Sequence, residues 1–260
     1  MPAQTVAENT PQGRLLRRAE YPSDAALGAI AAHCAAMDGG PGRVLKRSPE
    51  TNVTLPDVAP PVCVKQFKAR SFWRNVKDFI RPSPARRSWA AGLLLERLGF
   101  AAPRVLALLL PPALGRDAFL VMSRVQGAME SYAFARDVLP ALSTADRRRL
   151  MDSAGRFLRR LHDAGVFHGD LKASNLLIRR QGSEFSFDLV DLASVRRPLR
   201  LTQVHRVHNF AQLHAALPRW VTRTDRLRVL RAYGAFADVR AAWRQIARRA
   251  SRRHCHWIEP

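Results

Sequence analysis

The sequence predicts an α+β fold in two parts, a small strand-rich N-terminal part and a mainly helical C-terminal one. Three features carry that prediction. Pro61-Val62-Cys63-Val64-Lys65-Gln66-Phe67 has the pattern of a strand, and Phe119-Leu120-Val121-Met122-Ser123-Arg124-Val125 reads as another. Leu150, Ala154, Phe157, Leu158 and Leu161 recur at helical spacing behind the helix-start signal Ser143-Thr144-Ala145-Asp146, and Gly165 ends that helix. Next come the short β-prone run Leu176-Leu177-Ile178, the turn Arg180-Gln181-Gly182-Ser183, and Phe185, Phe187 and Leu189 alternating with polar or smaller residues. A chain of 260 residues suits one such unit with a substantial core.

Taken in order, residues 1–40 contain Pro and Ala without alternation, which predicts an N-terminal extension, partly disordered or carrying a loosely attached helix. Asp38-Gly39-Gly40-Pro41-Gly42 then reads as a linker into the strand-rich residues 41–124. In that part Lys65 is the one inward Lys on its strand, a place suited to pairing with nucleotide α- and β-phosphates when a Glu on the next helix holds it. Between Lys65 and the loop at Asp117 the only Glu is Glu96, in the helical stretch Ser88–Leu98. Met122 and Arg124 end the strand that leads into the second part, where an adenine would hydrogen-bond to backbone. Residues 125–260 are mainly helical. Leu227, Leu230, Tyr233, Phe236, Trp243 and Ile246 predict packing helices with Arg-rich outer faces.

The chemistry concentrates in His168-Gly169-Asp170-Leu171-Lys172-Ala173-Ser174-Asn175, followed sixteen residues after its Asn by Asp191 in the apolar run Phe187–Leu192. Phosphoryl transfer of the kinase type needs a carboxylate to take the acceptor hydroxyl's proton. Five residues later it needs an amide oxygen for Mg²⁺, and after a hairpin a second carboxylate that bridges the metal to the β- and γ-phosphates. Asp170, Asn175 and Asp191 stand at those three places. Lys172 is placed to neutralise charge on the transferred group. An isolated H-x-D carries little; the whole run with a downstream strand-borne Asp, in the order helix, loop, hairpin, metal Asp, is far more specific. ATP and Mg²⁺ are the cofactors that this set calls for.

These residues carry a family resemblance. VKQF with a basic aromatic stretch after it, RPSPARRSW, LGFAAPRVLAL, LHDAGVFHGDLKASNLLI, FDLVDLASVR and VHNFAQLHAALP resemble the bacterial lipopolysaccharide kinase (Kdo/WaaP) family over about residues 40 to 235. The resemblance implies a two-lobed protein-kinase-like fold, Mg-ATP as donor, and a sugar hydroxyl of the lipopolysaccharide inner core, on Kdo or heptose, as acceptor. Three departures stand out. Gly169 replaces the usual Arg of the catalytic loop, Ala193 follows the metal Asp where many kinases have Gly, and no orthodox glycine-rich nucleotide loop is visible.

Composition adds one constraint. A net charge of +22, from 43 Lys and Arg against 21 acidic residues, implies a polyanionic partner. Nucleic acid is not expected, because neither an aromatic binding platform nor a zinc module is visible. Cys34, Cys63 and Cys255 are few, odd in number and widely spaced, which fits a reducing cytosol. His254-Cys255-His256 reads as a tail triplet rather than a metal site. The longest apolar run, Val105–Leu110, is too short to span a bilayer and no signal peptide is recognisable, so the expected place is the cytoplasm, peripheral on the inner membrane's anionic cytoplasmic face. A docking element offers itself in residues 67–81, where Phe72, Val76, Phe79 and Ile80 share a helical face, Trp73 lies at its margin, and Lys68, Arg70, Arg74, Lys77 and Arg81 surround it. Two other readings compete. A protein Ser/Thr kinase would use the same loop, but the chain after Asp191 leaves little room for a peptide-docking segment; a catalytically silent basic binding module would have no need of Lys65, Asp170, Asn175 and Asp191 together.

Overall fold

The computed structural model describes residues 4–69, 82–113, 116–218 and 220–252. The docking element expected within residues 67–81 lies, from Arg70 on, outside the described residues, as does His254-Cys255-His256. The chain divides into two compact units, residues 1–125 and 126–260.

The first unit runs β1 (Thr5–Thr10), β2 (Gly13–Arg18), α1 (Ser23–Met37), β3 (Gly42–Arg47), β4 (Thr51–Pro56), β5 (Val62–Phe67), α2 (Pro84–Arg97), β6 (Val105–Leu110) and β7 (Ala118–Ser123). Its strands form one antiparallel seven-stranded sheet in the order β1-β2-β6-β7-β5-β4-β3. Residues 5–37 are therefore not the loose extension that the sequence suggested. They supply a hairpin and a helix whose Ala26, Ala29 and Ile30 enter one core cluster with Leu15, Val62, Val64 and Val121. Their signal is weak for a physical reason. β1 is an edge strand with no buried side chain, and α1 meets the sheet largely through alanines, which allow close approach without an obvious apolar stripe. The hairpin closes at Gly13, φ +139°, where a Cβ would sit 2.1 Å from the Leu110 carbonyl oxygen, so only glycine fits. On β5, Val62 and Val64 share the α1 face with Gln66, whose Oε1 lies 3.3 Å from His33 Nε2 of that helix. Alternation then turns Lys65 to the opposite face, directly across from Leu120 on β7.

The second unit contains β8 (Ala128–Glu130), α3 (Ser131–Asp137), α4 (Thr144–Asp163), β9 (Phe167–His168), β10 (Leu176–Gln181), β11 (Glu184–Leu189), β12 (Val195–Arg196), α5 (Gln203–Ala216), α6 (Arg223–Tyr233) and α7 (Val239–Ala250). α4 starts where Ser143 Oγ accepts the Asp146 N–H, at 3.0 Å. It packs closely on α6 at Gly155, where a Cβ would come within 2.5 Å of the Val229 carbonyl oxygen. Two small sheets, β11-β10-β8 and β12-β9, carry the hairpin and the loop of interest. A cavity of about 100 Å³ lies among Phe134, Leu150, Phe187, Leu213 and Trp243; its lining is apolar and includes none of the loop residues 168–175.

Candidate active site

The catalytic-loop motif is held as a closed circuit. β9 delivers His168, the loop Gly169–Lys172 turns into a short 3₁₀ segment Ala173–Asn175, and the β10–β11 hairpin brings the chain back to Asp191. β12 then returns to pair with β9, Val195 opposite His168 and Arg196 opposite Phe167, and the Gly169 N–H closes onto the Ser194 carbonyl at 2.8 Å. The Val190 N–H meets the Asn175 carbonyl at 3.0 Å, so Asp191 follows a residue pinned to Asn175. Asp170, Asn175 and Asp191 are thus on segments tied to one another by backbone bonds.

His168, fully buried, joins the two carboxylate segments. Its Nδ1 accepts the Asp170 N–H at 3.2 Å, which leaves Nε2 protonated to donate to the Val190 carbonyl at 3.1 Å. Burial pushes the imidazole pKa down, against the Val190 bond and the charges of Asp191 and Asp170, and so keeps this neutral tautomer. Around Asp170 the side chains are close. Lys172 Nζ lies 3.2 Å from Oδ2, and Asn175 Nδ2 donates to Oδ2 at 3.1 Å and to the Asp170 carbonyl at 2.8 Å. With the amide nitrogen spent on Asp170, the oxygen of Asn175 is the atom left for a ligand. Asp191 adopts φ 54° and ψ 59°, the one left-handed non-glycine among the described residues. Such a conformation costs an L-residue about 1–2 kcal/mol and persists where the surroundings dictate it, often at functional sites. Asp188, also on this hairpin, is instead buried and paired with Arg179 at 3.2 Å.

A second layer went unseen in the sequence. Arg206 donates to the Tyr233 hydroxyl, which donates to His162 Nδ1 at 2.9 Å, and His162 Nε2–H donates to Asn209 Oδ1 at 3.0 Å. Asn209 Nδ2 donates in turn to the His168 carbonyl and, at 3.0 Å, to Gln212 Oε1. Gln212 completes the chain by accepting the Leu171 N–H at 3.0 Å and donating to the Gly169 carbonyl at 2.7 Å. The backbone of residues 168–171 is fixed by two side chains of α5. Burial drives the His162 pKa down to about 4, outweighing the Asn209 bond, so the ring stays neutral as the circuit requires. The available signal was two amide residues three apart, Asn209 and Gln212, on the apolar face of α5.

For a divalent ion the donor chemistry fits. An amide oxygen and a carboxylate are hard ligands of the kind Mg²⁺ takes when phosphate oxygens and water complete its shell. Asn175 and Asp191, on segments joined by the Val190–Asn175 bond, supply one donor of each kind, and among the described residues no group of three His, Cys, Asp or Glu could hold a metal by itself. In the first unit, Lys65 stands on β5 with its ammonium 5.2 Å from the Phe67 ring centroid. Met122 is buried in β7 opposite Cys63 and Val105, and the Arg124 N–H reaches the Pro61 carbonyl at 3.4 Å. Glu96 does not serve Lys65. Its carboxylate is paired with the buried Arg18, and with Arg104 at 3.4 Å, and these cations hold its pKa low although burial alone would raise it. The helix register explains this: α2 lies against β6 and β7, and Glu96, in its last turn, meets the end of β2.

No curated protein matches the sequence. The solved structure described as WaaP in complex with acyl carrier protein is similar at a TM-score of 0.62 and 19% identity, covering 83% of this chain and 90% of that one. At that identity the likeness establishes the fold, which is kinase-like. The model of the lipopolysaccharide kinase (Kdo/WaaP) family matches residues 71–233, which include the catalytic loop, the hairpin, Asp191 and the clamping amides of α5. The chain therefore belongs to the lipopolysaccharide kinase (Kdo/WaaP) family.

Proposed function

We propose that the protein transfers the γ-phosphoryl group of ATP to a sugar hydroxyl, on Kdo or heptose, of the lipopolysaccharide inner core. Asp170 orients that hydroxyl and takes its proton as the oxygen–phosphorus bond forms and the bond to the ADP oxygen breaks. Lys172, 3.2 Å from Asp170, offsets negative charge on the moving group. Asn175 and Asp191 hold Mg²⁺, which when bound neutralises the β- and γ-phosphate oxygens. Lys65 orients the α- and β-phosphates, and backbone near Met122 receives the adenine. The single observation that carries this reading is His168, whose two ring nitrogens bond to the Asp170 N–H and the Val190 carbonyl and so tie the segments of Asp170 and Asp191 together, as a base and a metal ligand acting on one phosphate would need.

A glycolipid acceptor is favoured over a peptide by the short path from Asp191 to α5. It holds a 3₁₀ turn, β12 and six further residues before Gln203, too little for an activation segment with a docking floor. The positive charge of +22 suits an acceptor that carries anionic groups and lies in an anionic membrane. The test offers Mg-ATP with purified inner-core lipopolysaccharide and a mixed Ser/Thr peptide pool in parallel. Phosphorylated glycolipid with unmodified peptide is the expected result; the reverse pattern would make this a protein kinase.

A further inference from the structure

Arg196 brings a guanidinium beside Gly169, the position before Asp170 in the loop. β12 runs beside β9 with Arg196 opposite Phe167, and the Arg196 guanidinium lies 5.3 Å from the Phe167 ring centroid. That stacking holds a planar cation beside the catalytic loop at little further entropic cost. Gly169 makes room for it. A Cβ there would stand 3.3 Å from Arg196 Nη2 and 3.1 Å from the Ser194 carbonyl oxygen. The guanidinium therefore hangs over the residue immediately before Asp170.

Arg196 is exposed to solvent and has no ion pair among the described residues; what sets it apart from other such arginines is its place, stacked near Phe167 and over Gly169 beside Asp170. Asp170, its neighbour by one residue, is engaged by Lys172 and Asn175 instead. A planar, oriented and unneutralised guanidinium beside the base is suited to bidentate capture of a carboxylate or phosphate.

We infer that Arg196 is an anion subsite, binding a carboxylate or phosphate borne by the acceptor beside the hydroxyl that Asp170 activates. The subsite rests on the glycolipid acceptor proposed above and adds a specificity determinant to it. An acceptor lacking such an anion leaves the guanidinium unpaired and is bound more weakly.

Steady-state transfer from Mg-ATP to inner-core lipopolysaccharide tests the inference. Arg196→Ala raises the acceptor KM by about 10- to 100-fold, the range expected for a charged hydrogen-bonded contact, with the ATP KM unmoved and kcat largely kept. Arg196→Lys recovers part of the loss, and Arg240→Ala, an exposed change on α7 that removes one positive charge, shifts neither KM. Repeating the series with carboxylate-esterified and with dephosphorylated acceptor identifies the anion, since the Arg196→Ala penalty disappears with the group it binds. A penalty that survives removal of both groups, or an unchanged acceptor KM, overturns the subsite. Should wild-type enzyme transfer nothing to glycolipid, the acceptor assignment fails by itself, and titration of the Arg196 Nε–H NMR signal with inorganic phosphate and with free Kdo judges the subsite. A saturable shift of that signal is expected; no shift refutes it.

Discussion

His162 shows how one buried residue sets a condition for the whole site. It accepts from Tyr233 on one nitrogen and donates to Asn209 on the other, an arrangement open only to the neutral ring. Its pKa falls from 6.5 to about 4 on folding, chiefly through burial. The unfolded chain therefore takes up the proton first as pH drops. Stability from this group is complete above 6.5 and is lost between 6.5 and 4, the span of that shift. The slope is about 1.4 kcal/mol per pH unit. Thermal unfolding followed from about pH 7.5 down to about pH 5 should show Tm falling, and His162→Gln, which keeps a donor for Asn209, should remove one histidine's share of the slope. Equal slopes in both proteins would mean that His162 is not the neutral link described. Asp191 belongs to the same scale: its left-handed backbone separates it from Asp188, the buried carboxylate three residues earlier that Arg179 already neutralises.

α5 is the element that turns a loop into a site. Gln212 and Asn209 bond the carbonyls and N–H of residues 168–171, so the position of Asp170 depends on a helix more than thirty residues away in sequence. Gln212→Ala should lower kcat by about 10- to 100-fold while leaving the ATP KM within a few-fold, because it frees the base without touching the nucleotide ligands; each buried backbone group left unpaired also costs about 1–3 kcal/mol of stability. A loss of stability with unchanged kcat would reduce the helix to a purely structural part. Elements differ in how legible they were. The β10–β11 hairpin, α4 and β5 could be read from alternation and helical spacing, since each buries a regular apolar face. β1 and α1 could not, because an edge strand and an alanine-lined helix leave no such pattern. Glu96 was misassigned for a related reason: sequence order names the nearest Glu, but the docking of α2 decides which cation it meets.

At the scale of the whole molecule, charge and covalent chemistry meet different tests. No described helix is long and apolar enough to cross a membrane, and the net charge of +22 is the global signal for an anionic surface. Flotation with vesicles should require anionic lipid, weaken as salt rises, and drop sharply when Phe72, Trp73 and Phe79 are made polar in a folded protein. Unchanged flotation in that variant would leave bulk charge as the sole attraction. The run from His168 to Asn175 with Asp191 stood out in the sequence because the phosphoryl transfer proposed for it demands fixed residue types at fixed spacing, while the clamp behind it did not, because amides reaching backbone can come from any helix that passes. The central claim is that this frame phosphorylates inner-core sugar from Mg-ATP. Mass spectrometry of inner-core lipopolysaccharide incubated with Mg-ATP and enzyme tests it most directly. The wild-type protein should add a phosphate to the sugar. Asp170→Ala should lose about 10²–10⁴-fold in rate with nucleotide binding nearly unchanged, and Asp191→Asn should abolish transfer in a folded protein. Transfer at the wild-type rate by Asp191→Asn, or by Asp170→Ala, would contradict the account.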